Sequence, residues 1–349
     1  MKSLAVAAPL LAAAFVAACT SSAGHPIPSH TLTPSETVSA PPGTDTPTPT
    51  GTPHFFFVAN RGSANVSVVR EQSGVWSVAA TIPVGPSPEG IVANPNGQFV
   101  YVAEAGAGTV RVLNALTFAT STAIPLGGAP HELAVNTPGT RLYVSDTAAD
   151  RVACVSLASG AVVTTATVGP APWQIAVSPG SEDVYIAAGA SAVVLTGPGL
   201  SPVATVVVGG SLRGIALRTG TSYFLVTDSA GGRLATVSSS GWNLVSISGG
   251  PQGLGAVPSL LAFSPYGGLC YVPCEGAAET ATAAWDATLT GASITVGSAP
   301  YGVASTGDGA FVVVTNTGSN SVSAISTATR LVVATIPVGI APRGITVLP

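Results

Sequence analysis

Charge is what this sequence has least of. Asp, Glu, Lys and Arg together make up 7% of 349 residues, and Lys2 is the only lysine. Leaving Lys2 aside, ten Arg stand against fifteen Asp plus Glu, a net charge of −5. A surface helix needs a charged, solvated face. So few charges beside 41 Gly and 29 Pro argue for an all-β chain of short strands and tight turns. No cluster of Arg forms the basic patch that binding to phosphate requires, which argues against nucleic acid as a partner.

Long uninterrupted apolar runs are also missing from the body of the chain, although 46% of residues are apolar. The stretch between Arg151 and Glu182 carries no charge, but Gly160, Gly169, Pro170 and Pro172 interrupt it. It therefore cannot form the roughly 20-residue apolar helix that crosses a bilayer. No transmembrane span is expected in the mature chain, and the apolar residues must be packed inside the protein. Catalytic signatures are absent too. There is no HExxH, CxxCH, GxSxG or Walker loop, and no metal or cofactor is expected.

What is present begins with an address. Lys2 precedes an apolar run from Leu4 to Ala17 and a small residue before Cys19, the pattern of a cleavable secretory signal. The segment Val16-Ala17-Ala18-Cys19 resembles the lipobox of bacterial lipoproteins. That resemblance implies removal of residues 1–18, a diacylglycerol on the Cys19 thiol, and an exported protein anchored to the outer face of the cell membrane, in the periplasm or at the cell surface. Residues 19–53 then run through Pro, Thr and Ser with almost no large apolar side chain. Such a segment cannot offset its ordering entropy by burial, so it is expected to be a disordered stalk.

From residue 54 to 349 the sequence repeats. An apolar pair recurs at Phe57-Val58, Tyr101-Val102, Tyr143-Val144, Tyr185-Ile186, Leu225-Val226, Tyr271-Val272 and Val313-Val314, at spacings of 44, 42, 42, 40, 46 and 42 residues. A second anchor is a Gly after a β-rich run, at Gly85, Gly127, Gly169, Gly209, Gly297 and Gly339, with the copy near Gly255 irregular. Each repeat reads as four strands, as in YGVAST, FVVVTN, SVSAIS and LVVATIPV, with apolar and polar residues alternating. A repeat of this length that cannot bury both faces of its sheet alone points to a ring of blades. Seven repeats predict a seven-bladed β-propeller of four antiparallel strands per blade. Because the chain enters on a second strand, HFFFVAN, and ends on a first strand, GITVLP, the C-terminal strand should join the N-terminal three and close the ring.

The segments VTNTGSNSVSAISTATRLVVATIPVGIAPRGI and FVANRGSANVSVV resemble the YVTN family of β-propeller repeats. The resemblance covers residues 54–349 and implies a bacterial surface or periplasmic protein without fixing a biochemical role. An insertion around Ser248 to Pro258 and the run LCYVPC depart from its pattern.

The residues that begin the innermost strands surround the mouth of the central channel, and they are Glu89, His131, Trp173, Arg213, Ser259, Tyr301 and Arg343, with Glu132 and Gln174 one position further on. This set is more polar and more varied than the scaffold, which makes it the candidate ligand ring. The second strands end on the same face at Asn60, Glu104, Asp146, Ala188, Asp228, Cys274 and Asn316. Most of these read as turn chemistry, with Glu104 singled out as a further candidate. Two functions are compatible with the ring. One is a non-catalytic scaffold that binds a protein, glycan or small envelope ligand. The other is a lactonase-like hydrolase or lyase that uses Glu89, His131, Glu132 and Arg343 as acid, base and oxyanion partner. Trp173 and Tyr301 favour binding. With Cys19 assigned to lipid, Cys154, Cys270 and Cys274 remain, either with a local bridge between the last two at Pro273 or all as buried thiols. The mature protein is expected to be a monomer.

Overall fold

The computed structural model describes residues 52–349 apart from 219, 250–253, 266–267, 285–286 and 291–292. The signal segment, Cys19, the stalk up to residue 51 and part of the insertion before Pro258 lie outside the described residues. The described residues form 28 strands in seven four-stranded antiparallel sheets, the seven blades expected. In chain order, blade 1 spans residues 54–83, blade 2 88–125, blade 3 130–167, blade 4 172–207, blade 5 212–249, blade 6 262–295 and blade 7 300–337. Blade 1 is completed by the C-terminal strand Pro342–Val347, which pairs antiparallel with His54–Asn60 through Phe56 and Val347, Phe57 and Thr346, and Val58 and Ile345.

The core is divided into seven apolar clusters, each shared by consecutive blades. Tyr143 and Cys154 of blade 3 meet Ile186 and Leu195 of blade 4, for example, and Phe56 and Val58 of blade 1 meet Val313 and Ile336 of blade 7. This explains one departure from the expected alternation. In Phe311–Asn316 every residue after the first is buried, because both faces of an inner strand touch another blade. Only an outer strand such as Leu331–Pro337 alternates between exposed and covered positions. The three cysteines lie in the same packing. All are free and buried, so the bridge between Cys270 and Cys274 does not form; the two occupy one regular strand, Cys270–Cys274, with no bend to bring their sulfurs together. Burial pushes both thiols up, Cys274 to about 12.

The inner strands approach one another closely around the channel. One residue past each candidate ring residue stand Gly90, Glu132, Gln174, Gly214, Leu260, Gly302 and Gly344. A Cβ on Gly344 would sit 2.5 Å from the Glu89 carbonyl oxygen and 2.9 Å from the Ile91 nitrogen, and a Cβ on Gly302 would sit 2.3 Å from the Arg343 carbonyl oxygen. These obstacles are backbone atoms that cannot rotate away. Gly302→Ala and Gly344→Ala should therefore each destabilise the propeller by about 1–3 kcal/mol in denaturant titration. Gly307→Ala, where nothing lies within 4 Å of the added carbon, should change stability little; equal effects at all three positions would contradict this packing.

Candidate functional site

In six of the seven blades the entry to the inner strand is a β-bulge. In blade 2 Pro88 pairs with Glu104 and Ile91 with Val102, so Glu89 and Gly90 together face the single residue Ala103. The same shift lies between Pro130 and Leu133, Pro172 and Ile175, Leu212 and Ile215, Pro300 and Val303, and in the closing strand between Pro342 and Ile345. A bulge inserts a residue and re-aims its side chain. Here it places the ring residues at the channel mouth in six of the seven blades.

The ring side chains make contacts with one another. The His131 and Trp173 rings lie edge to face with centroids 4.4 Å apart. Arg213 lies over the other part of this pair, 4.9 Å from the Trp173 centroid, and Arg343 lies 4.3 Å from the centroid of Tyr301. Ser259 is turned away from the opening and donates to the Tyr301 carbonyl oxygen at 2.8 Å. Gln174 runs as a chord from blade 4 to blade 6. Its Oε1 accepts from the Ile215 and Leu261 amides, and its Nε2 donates to the Leu261 carbonyl oxygen at 3.2 Å. Gln174 is thus a tie across the channel wall rather than a free ligand contact.

Two residues that the sequence did not single out complete the mouth. Arg61 donates its Nε to Glu89 at 2.7 Å, and Glu275 accepts from Arg213 at 2.7 Å and faces Arg343 at 3.9 Å. Both stand one residue beyond the end of a second strand, in the register position occupied elsewhere by Ala105, Thr147, Ser229 and Thr317. In each case the amide bonds back to the residue that precedes an inner strand, as in Arg61 to Ala341 and Glu275 to Val257. A comparison of that register position across the repeats would have shown two charges among small residues.

Glu104 does not belong to the ring. It is fully buried in the corner of blade 2, where it accepts from the Gly85 amide at 2.6 Å, from Thr109, and from Arg111 at 2.9 Å. Burial pushes its carboxyl up, but these hydrogen bonds outweigh burial and hold it below the usual carboxylate range. Asp146 with Arg151 and Asp228 with Arg233 make the same corner in blades 3 and 5, each accepting the amide before an inner strand.

Under the mouth the bonding is incomplete. Among the described residues seven buried side-chain nitrogen or oxygen atoms have no hydrogen-bond partner, and four are here: His131 Nδ1, Glu132 Oε1, Tyr301 Oη and Arg343 Nε. Orphans of this kind are costly in an interior, so their concentration in one place marks a site. Burial pushes the Glu132 carboxyl up to about 8, the Glu89 charge adds to this, and the Leu133 amide and Arg343 oppose it. Burial pushes His131 down to about 3, aided by Arg343, Arg61 and Arg213. Burial, followed by the charge on Glu132, raises Tyr301 well above its ordinary value. Glu89 is also raised, because burial outweighs the pull of Arg61 and Arg343. At neutral pH the cluster thus combines a protonated acid, a neutral imidazole and a phenol with the guanidinium groups of Arg213 and Arg343.

Two open clefts lie at the opposite end of the strands. One of about 390 Å³ is lined by Tyr185, Tyr223 and Trp242 between blades 4 and 5, and one of about 770 Å³ surrounds His54 beside the ring closure. Among the described residues neither contains a buried polar atom without a partner, and His54 is already bonded to Glu71 and Asp308. Their size is therefore a weaker sign of function than the unmet bonding at the channel mouth. Among the described residues no group of three or more His, Cys, Asp or Glu is arranged to hold a metal ion, and no helix is long and apolar enough to cross a membrane.

No protein family and no curated protein matches this sequence. Solved structures match the fold. A functionally unknown protein from Desulfotomaculum acetoxidans superposes with a TM-score of 0.73 at 12% identity, over 84% of this chain and 98% of that one. A protein from Bacteroides fragilis described as a candidate 6-phosphogluconolactonase gives 0.73 at 14%, over 87% and 100%. The hydrazine synthase of Kuenenia stuttgartiensis gives 0.65 at 16%, over 74% and 89%. At these identities the likeness is one of architecture, and it establishes the seven-bladed propeller alone.

The protonation of Glu132 has a consequence for stability. Its folded pKa of about 8 lies above its unfolded value near 4.5, so the folded state retains a proton that the unfolded state loses. Stability from this group is complete below pH 4.5 and falls as pH rises towards 8. Glu132→Gln, which keeps the shape of the neutral acid, should leave stability almost unchanged at pH 5 and exceed the wild type by roughly 2–4 kcal/mol at pH 9 in urea titrations. A Gln variant whose stability parallels the wild type across this range would mean that Glu132 is ionised in the fold.

Proposed function

We propose that this propeller is a binding module whose site is the channel-mouth pocket, and that it acts without catalysis on what it binds. The observation that carries this reading is the set of four unpartnered buried polar atoms on His131, Glu132, Tyr301 and Arg343, with the His131 ring packed against Trp173 and the Arg343 guanidinium against the Tyr301 ring. Their hydrogen-bonding capacity is met by nothing in the chain, and they lie among aromatic side chains and guanidinium groups, a combination suited to a small polar ligand. Catalysis by acid and base needs a second ionised group aimed at the same point. Here Glu89 and Glu275 are held by arginines, and Glu132 is protonated at neutral pH.

Lactone hydrolysis is the second reading. It is favoured by a carboxylic acid near neutrality beside Arg343 and by the Bacteroides neighbour described as a candidate 6-phosphogluconolactonase. The two readings part in one experiment. Sugars, polyols and organic acids are screened by thermal shift, and δ-gluconolactone is followed by proton release. Binding predicts that at least one compound class raises the melting temperature, that Tyr301→Phe or His131→Ala weakens it about tenfold or more, and that lactone opens no faster than in buffer. Accelerated opening that Glu132→Gln abolishes would make the protein an enzyme.

The resemblance to YVTN repeats and the lipobox-like Val16-Ala17-Ala18-Cys19 support a bacterial envelope protein, displayed on a stalk of residues 19–53 and anchored through lipid on Cys19. Radiolabelled palmitate should enter the wild-type chain expressed in a bacterial host and be lost with Cys19→Ala. Equal labelling of both would refute the anchor.

A further inference from the structure

Two of the three arginines at the mouth share one carboxylate, and they share it unequally. Arg213 comes from blade 5 and Arg343 from the strand that completes blade 1, and each guanidinium is set against an aromatic ring, Trp173 and Tyr301 respectively. Glu275 reaches between them from the turn after Cys274 in blade 6. Its Oε2 lies 2.7 Å from Arg213 Nη1, the length of a charge-assisted hydrogen bond. Its Oε1 lies 3.9 Å from Arg343 Nη1, and Arg343 Nε has no partner at all although it is buried. Tied to the blade 6 turn, Glu275 satisfies the first arginine and leaves most of the fork of the second unused. Glu275 is also about a quarter exposed, so it has room to turn outwards.

We propose that the pocket takes a small organic carboxylate carrying at least one further hydrogen-bonding oxygen, and that Glu275 is its built-in competitor, occupying the arginine pair until the ligand displaces it. This inference rests on the channel mouth being a binding site. A free carboxylate, unlike Glu275, can settle deep enough to take Arg343 Nε in the bidentate manner that guanidinium favours. Its second oxygen then meets Tyr301 Oη, Glu132 Oε1 or His131 Nδ1, the other groups lacking partners. Charge agrees with this assignment. Arg61, Arg213 and Arg343 face Glu89, Glu275 and a Glu132 that is neutral below about pH 8, a surplus of one positive charge beside the uncharged His131 and Tyr301. Above that pH Glu132 ionises and cancels the surplus, so carboxylate affinity should fall.

The probes are L-lactate and succinate, with lactamide and glycerol as uncharged counterparts, titrated calorimetrically into the full chain and followed by the fluorescence of Trp173 in a background where the other tryptophans are Phe. Lactate or succinate should bind and the uncharged compounds should not. Glu275→Gln should tighten carboxylate binding about tenfold by removing the competing charge. Arg343→Lys, which keeps the charge and loses the fork, should weaken it by a similar factor. Should Glu275→Gln not fold, Glu275→Ala, which also removes the charge, should give the same tightening. Carboxylates that bind no better than lactamide or glycerol, or that are indifferent to Glu275 substitution, would overturn the carboxylate assignment and leave the site standing. A Trp173 signal unmoved by every compound would overturn the binding site together with the inference.

Discussion

Everything in this molecule depends on the contact of one blade face with the next. A four-stranded sheet rich in Val, Ala and Tyr has two apolar faces and no means of covering both. The seven shared clusters show how the chain solves this, with each blade serving as the core of its neighbours. Because that arrangement is cyclic, its stability requires the last interface to form as well, and the closing strand Pro342–Val347 supplies the fourth strand of blade 1. Burial on both faces also accounts for the high apolar content of a chain without a membrane-crossing helix among its described residues.

The same contact sets the site. Blades pack tightly enough at the channel that four of the seven residues one past the ring positions are glycine, and the backbones around Gly302 and Gly344 leave no room for a Cβ. Where the pattern is broken, at Glu132 and Gln174, a polar side chain must run into the channel. Gln174 is accommodated by bonding to three backbone groups of neighbouring blades. Glu132 lacks such partners for Oε1, so the interior protonates it instead. The bulges that open six of the seven inner strands turn the residues within them towards the channel mouth. Site and scaffold are therefore consequences of one geometric requirement, close approach around a ring.

The repeat made the fold legible. Apolar pairs at spacings near 42 residues, the G-x-x-P entries and the split first blade give blade number, strand number and closure without side-chain detail. The ring positions were legible for the same reason, since register alone puts Glu89, His131, Trp173, Arg213, Tyr301 and Arg343 at one end of the strands. What register does not convey is pairing. Glu104 shares its position with Asp146 and Asp228, and only the contacts with Arg111 and Gly85 reveal that it anchors a corner as they do. Glu275 and Arg61 occupy turn positions that the repeat fills with small residues elsewhere, and their role depends on how far a long side chain reaches across blades. The cysteine question turned on local bending at Pro273, which spacing does not specify.

Scarcity of charge gives the surviving charges their meaning. Among the described residues seven arginines pair with carboxylates, and these pairs fall into recurring places. Three bind the corners of blades 2, 3 and 5 through Glu104, Asp146 and Asp228. Three more arginines, at 61, 213 and 343, stand at the channel mouth, where Glu89 and Glu275 are the carboxylates that pair with them. On a surface crowded with charge such an imbalance would be screened and diluted. On one this sparse, with apolar blades on every side and a recess that lowers the local dielectric, it governs the field at the entrance. If the site proposed above binds an anion, this is where the anion gains most on leaving water. Corner pairs whose carboxylates are saturated by backbone amides add nothing to that attraction, which is why position in the blade, rather than residue type, separates the structural acids of this chain from those at its site.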